Sequence, residues 1–156
     1  MRNIDEAVRN SLELFTDEGY FTDVDYAFTA PNGAWQAFRH VTRLYDFVFA
    51  YTLPNSAYFE NERLYDTIIA GLERWAVQPE STHWWHNQIA DPQRLGVMLI
   101  QMRKGEKQLP AELEQKILER MTRNAGEPEK WTGGNKTDMA LHWLYRACLT
   151  RDEALL

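Results

Sequence analysis

The chain has 156 residues, enough for one domain with a buried core, and its 44% hydrophobic and 26% charged content is that of an ordinary soluble globular protein. Its formal net charge of −6 argues against general nucleic-acid binding or attachment to an anionic membrane, both of which draw on a basic face. No apolar run approaches membrane-spanning length, and a single cysteine, Cys148, excludes an intramolecular disulfide.

Helical periodicity runs almost throughout. Ile4, Val8, Leu12 and Phe15 mark a first helix. Trp35, Phe38, Val41, Tyr45, Val48 and Phe49 mark a longer second one. Asn61 is placed to cap a third, whose inner face carries Leu64, Ile68, Leu72 and Trp75. Asp91-Pro92 reads as a helix start, cap followed by proline, with Leu95, Met98, Leu99 and Met102 behind it. Leu109-Pro110 opens a fifth helix with Leu113, Ile117 and Met121 inward. Thr137, Leu141, Leu144, Tyr145 and Cys148 mark a sixth, on which Cys148 is expected to be a small buried hydrophobe. No strand alternation appears.

The connections alternate in length. Those after the second and fourth helices, 52–60 and 104–109, are short; 16–33, 77–91 and 124–136 are long. Short connections make antiparallel neighbours, so the three long ones emerge at one end of the stack. They carry the unusual chemistry: Tyr20, Phe21, Asp23, Asp25 and Tyr26, the adjacent Trp84 and Trp85, then Trp131 and Asn135. The expected architecture is all-α, a stack of antiparallel helical hairpins with one decorated rim.

Trp84 and Trp85 stand in Ser81-Thr-His-Trp-Trp-His-Asn-Gln88, and Trp131 in Lys130-Trp-Thr-Gly-Gly-Asn-Lys136, among amides, imidazoles and glycines. Indole faces ringed by such donors suit a sugar, whose C–H faces stack while its hydroxyls seek hydrogen bonds. Trp84, Trp85, Trp131, His86 and Asn87 are therefore the candidate saccharide-binding residues. Trp35, Trp75 and Trp143 lie on helical stripes and read as core. His83 and His86 have no matched third ligand except Asp91, so no metal site is expected, and no cofactor. His40 and His142, inside helices, are expected to satisfy local hydrogen bonds. The charged run from Glu112 to Arg123 reads as a solvated helix face. Asp23 and Asp25 are open to a reading as glycosidase carboxylates, though turn and cap roles suit them better.

Taken together, Gly19-Tyr-Phe-Thr-Asp-Val-Asp-Tyr26, Trp35 with His40-Val-Thr-Arg43, Trp84-Trp85 with Gln88-Ile89 and Pro92-Gln-Arg-Leu95, and Thr132-Gly-Gly-Asn135 with Asp138 resemble polysaccharide lyase family 8, the chondroitin, hyaluronan and xanthan lyases. The order and approximate spacing agree from about residue 16 onward. The resemblance implies an incomplete α/α toroid whose rim cleft binds an acidic polysaccharide, and cleavage by β-elimination outside the cytoplasm, in the extracellular space or periplasm. The opening Met1-Arg-Asn-Ile-Asp-Glu6 shows no secretory apolar run. By the resemblance Asn135 neutralises the uronate carboxylate, and Trp84 and Trp85 pack the sugar chain. Asn135 is also placed to cap the last helix. His83 stands where the family usually has asparagine. The family's catalytic histidine, tyrosine and arginine lie well beyond the asparagine loop, so the resemblance implies the N-terminal part of a lyase domain, weak or inactive alone. A cut toroid exposes an apolar edge, which predicts self-association. A non-catalytic saccharide-binding module and an α/α-toroid glycosidase are the alternatives.

Overall fold

The computed structural model describes residues 3–28, 34–123 and 126–155. Among them are six α-helices and no strand: α1 Ile4–Leu12, α2 Phe38–Thr52, α3 Glu62–Ala76, α4 Asp91–Met102, α5 Ala111–Arg123 and α6 Gly133–Thr150. Local chemistry sets several boundaries. Asn3 accepts from the amides of Asp5 and Glu6 to cap α1, and Asn61 accepts from Leu64 to cap α3, as its position in the sequence suggested. Pro110 precedes α5, whose Leu113, Ile117 and Met121 are buried.

The even-numbered helices form an inner row in which α4 packs between α2 and α6. The odd-numbered helices lie outside: α1 and α3 against α2, α5 against α4, and α3 against α5. The core is correspondingly continuous, from Val41, Leu44 and Phe47 through Ile68, Leu72 and Trp75 to Leu95, Leu99 and Ile117. Gly96 permits the close approach of α6 to α4, since a Cβ there would stand 2.8 Å from the Tyr145 ring. The result is an open, two-layered arc of helical hairpins.

Contacts between connections show that they emerge at alternate ends, although their lengths do not alternate as expected, since 124–132 is no longer than 53–61. At one rim Gln78, after α3, donates to the Tyr26 carbonyl at 3.1 Å, and Trp84 stacks on Trp131. At the other, Ser56 donates to Asp5 at 2.7 Å, Tyr65 to the Gln108 carbonyl at 2.8 Å, and Arg103 to the Leu149 carbonyl at 2.9 Å. The connections after α1, α3 and α5 thus gather at the first rim.

Several expectations give way. Asp91 does not cap a helix, because a π-helical turn, His86–Ala90, joins α4 without a break and Trp84 and Trp85 already have helical geometry. Asp91 turns inward instead. Asn135 is likewise no cap; α6 begins at Gly133, Thr132 holds the N-cap position, and Asn135 lies in the first turn. Cys148 is exposed rather than buried. Leu141, Leu144 and Cys148 form the outer face of α6, whereas Met139, His142 and Leu149 face the arc. The helix is apolar on both sides, so periodicity alone picked the wrong one. Trp143, read as core, is half-buried at that outer edge and donates to the Gly126 carbonyl at 2.9 Å. The exposed apolar edge is present: Leu141 and Leu144 are 36% and 45% exposed beside Pro128 and Trp143.

The two helical histidines differ. The Gly71 carbonyl can only accept, so His40 Nε2 carries the proton that bonds it at 2.9 Å, and Nδ1 accepts from the Tyr26 hydroxyl at 2.9 Å. His142 is fully buried, but both ring nitrogens lack a hydrogen-bond partner, contrary to expectation.

Burial depresses both imidazoles to about 4, partly offset at His40 by the bond to Gly71 and reinforced at His142 by the Arg146 charge. Above the ordinary value of 6.5 both are neutral whether the chain is folded or not. As pH falls from there toward 4, the unfolded chain takes up protons that the folded chain refuses, and stability falls. Each histidine should remove about 1.4 kcal/mol per pH unit across that window. The urea midpoint is expected to drop steadily there, and His142→Leu should roughly halve the slope. A flat midpoint from pH 6.5 to 4 would contradict this account.

Candidate functional site

The first long connection is held by its own polar groups. Arg43 clasps Asp23 through two hydrogen bonds of 2.6 Å, and its guanidinium holds the carboxyl below the usual aspartate range. Asp25 accepts from the amides of Ala27 and Phe28 at 3.0 and 3.1 Å, an Asx turn. Neither carboxylate is left poised for glycoside hydrolysis. Tyr26 accepts from the Phe21 amide at 2.9 Å and donates to His40, while burial raises its phenol above the ordinary value. That hydroxyl retains its proton and braces the loop.

The second connection is closed by Asn87, whose side chain accepts from the Ser81 amide at 3.0 Å and donates to the Ser81 carbonyl at 2.7 Å. Ser81 in turn accepts from the His83 amide at 3.0 Å. The Asn87 amide thus closes the loop with one N–H and its oxygen. His86 is buried and packs against Trp35 and Phe38, with ring centroids at 5.4 and 5.1 Å. It supports the rim from beneath.

The third connection reaches the same place. The bond from Trp143 pins Gly126 against α6, a 3-10 turn follows at Pro128–Lys130, and Trp131 emerges half-buried. Its indole stacks on Trp84 with centroids 4.4 Å apart and planes at 22°; His83 lies 5.9 Å from Trp84 at 24°. One face of Trp84 is therefore covered, and Trp85, 38% exposed, is the open indole of the pair. Gly133 has φ +62°, which only glycine adopts without strain, and the space before Gly133 and Gly134 is open. Asn135 stands half-exposed just beyond, at the N-terminal end of an 18-residue helix whose cap residue makes no side-chain hydrogen bond. Free amides and the helix dipole make that end attractive to an anion.

The model for the N-terminal alpha-helical domain of polysaccharide lyase family 8 matches residues 1–156. The chain belongs to polysaccharide lyase family 8. Chondroitinase-AC of Pedobacter heparinus is 44% identical over 157 residues, covering all of this chain and 22% of that enzyme. A chondroitinase AC lyase solved with oligosaccharides superposes with a TM-score of 0.89 at 44% identity, over all of this chain and 23% of that one. The fold is accordingly part of the family 8 α/α toroid. A Paenibacillus xanthan lyase shares that fold, with a TM-score of 0.82 at 19% identity over 97% of this chain and 15% of its own. The chain spans less than a quarter of these relatives' lengths.

For this family 8 chain, sequence reasoning missed the polar network beneath the rim. Asp91 accepts from Trp75 Nε1 at 2.8 Å and Arg120 Nε at 3.0 Å, and Arg120 also donates to the Gln78 carbonyl at 2.6 Å. The signal existed, since Arg120 adjoins the Leu113–Ile117–Met121 stripe, but it sat within a charged run. Among the described residues no group of three His, Cys, Asp or Glu gathers as metal ligands, and no helix is long and apolar enough to cross a membrane.

The Asn87 closure makes a direct prediction. Asn87→Ala should cost about 1–3 kcal/mol, because the buried Ser81 backbone groups lose their partners. The Ser81 amide should then exchange with solvent far faster. Unchanged protection at Ser81 would contradict the assignment.

Proposed function

We propose that this chain forms one wall of the substrate cleft of a polysaccharide lyase that breaks uronic-acid-containing polysaccharide by β-elimination, with chondroitin or hyaluronan favoured over xanthan. The observation that carries this reading is the Trp84–Trp131 stack, which joins the Trp-Trp segment to the Thr-Gly-Gly-Asn loop on one rim. Trp85 offers its open face to a sugar ring, and Trp84 and Trp131 form the ledge beside it. The 44% identity to a chondroitinase AC supports the choice of substrate class.

The reaction removes the C5 proton of a uronate and breaks the C4–O bond, leaving a C4=C5 double bond and a free hydroxyl on the departing sugar. The uronate's own negative charge opposes the first step, because the electron pair from C5 must delocalise into the carboxylate. Donors placed at that carboxylate lower the barrier. Asn135 suits this role: its amide supplies a hydrogen bond where the N-terminus of α6 supplies partial positive charge. Tyr26 and His40 do not suit proton transfer, since each is committed to the other and the phenol's pKa is raised. The chain therefore binds and polarises, and groups outside these residues move the proton. A non-catalytic binding module would use the same platform, and turnover by any longer form of the protein would exclude it.

Two experiments test this. Ultraviolet absorbance of unsaturated uronate should stay flat when the folded chain stands with chondroitin, hyaluronan or xanthan. A rising signal would place a complete elimination site within these residues and overturn the division of labour. Calorimetry should also show that the chain binds a chondroitin oligosaccharide and that Trp85→Ala weakens binding at least tenfold, about 1.4 kcal/mol. Asn135→Ala should abolish the preference for the native oligosaccharide over its carboxyl-reduced form. If Asn135→Ala leaves that preference intact, Asn135 does not meet the carboxylate.

A further inference from the structure

The π-helical turn has a geometric consequence for the rim. Each residue of an α-helix advances about 100° around the axis, so one extra residue in a turn re-aims everything preceding it by about that angle. Trp84 and Trp85 directly precede the turn. It is closed by the Asp91 amide, which donates to the His86 carbonyl five residues back. The same residue's buried carboxylate holds Trp75 of α3 and Arg120 of α5. Arg120, itself buried, lies 4.6 Å over the Trp75 ring and reaches the Gln78 carbonyl, while the Gln78 side chain bonds Tyr26 of the first connection. One residue thereby closes the backbone turn that aims the tryptophans and ties that turn to the outer helices and the first long loop.

We propose that Asp91 and Arg120 are positioning residues for the saccharide platform, holding the π turn in the register at which Trp84 meets Trp131 and Trp85 faces the cleft. Neither touches substrate. The claim rests on the reading of this rim as a sugar-binding surface, yet its structural half can be tested alone. Two indoles stacked at 4.4 Å should give an exciton-coupled signal in the near- and far-ultraviolet circular dichroism, and Trp84→Phe and Trp131→Phe assign it.

In the 156-residue chain, at a temperature where far-ultraviolet dichroism shows the helices intact, Asp91→Asn should diminish that couplet. It should also weaken chondroitin-oligosaccharide binding by about ten- to a hundredfold, the cost of misplacing a binding group by roughly an ångström. The pair Asp91→Asn with Arg120→Met removes the orphaned buried charge, so it should recover much of the lost unfolding midpoint while leaving couplet and affinity low. A residue acting only on stability would recover all three together. Leu109→Ala, a destabilising change at the opposite rim, should leave the couplet and affinity unchanged in the folded chain. A folded Asp91→Asn chain with a wild-type couplet would overturn the proposal, as would full recovery in the double variant. If Trp85→Ala bound oligosaccharide like wild type, the sugar-binding reading would fail instead, and the couplet would still decide the positioning claim.

Discussion

A carboxylate sealed from water must be met by donors, and Asp91 draws its donors from two different helices. Burial raises its carboxyl above the ordinary value, while the Arg120 charge and the Trp75 N–H pull the other way. Removing one partner from such a pair would leave an uncompensated charge in the interior, a cost of about 3–5 kcal/mol. The geometry is correspondingly determined: α3, α5 and the start of α4 meet at one point directly below the rim. An apolar contact there could slide, whereas a directed pair of hydrogen bonds cannot. The rim's aromatic surface inherits its register from that point.

The two-layered arc explains why the functional chemistry collects on one side. Hairpins joined at one end return their remaining connections to the other, and contacts such as Gln78 to Tyr26 and Trp84 to Trp131 join those connections laterally. The outer face of α6, with Leu141, Leu144 and Cys148 uncovered, shows the same logic at the arc's open edge, where an inner-row helix has a neighbour on one side only. Apolar residues on both faces of α6 leave one face uncovered.

Helix number, the up-and-down order and the shared rim were legible in the sequence because they rest on period and punctuation, but the length contrast was not: 124–132 is no longer than 53–61, and helical geometry resumes at Trp84. Asn61 as a cap and Leu113–Ile117–Met121 as a buried stripe are local facts that tertiary packing did not disturb. The family resemblance added what periodicity could not, the reaction class and the roles expected of Trp84, Trp85 and Asn135. Misreadings came where one signal serves two physical ends. Asp before Pro is a helix-start pattern, but a π turn carried the helix through it and freed the Asp91 carboxylate for Arg120. Within one loop Asn87 also closes the backbone onto Ser81 while the His86 ring lies against Trp35 and Phe38, roles the sequence did not show. Which polar side of a loop turns outward is decided by long-range contacts that no local pattern encodes.

The central claim is that the rim carrying Trp85 and Asn135 is where an acidic saccharide sits. The most direct test is a titration of the isotopically labelled chain with a chondroitin tetrasaccharide, followed by nuclear magnetic resonance at the Trp85 indole N–H and the Asn135 side-chain amide. The account predicts that both move together along one saturating curve, with Trp131 and the Gly133–Gly134 amides, while the opposite rim around Tyr65 and Lys107 stays still. Shifts confined to other surfaces, or a Trp85 signal unmoved at saturation, would contradict it.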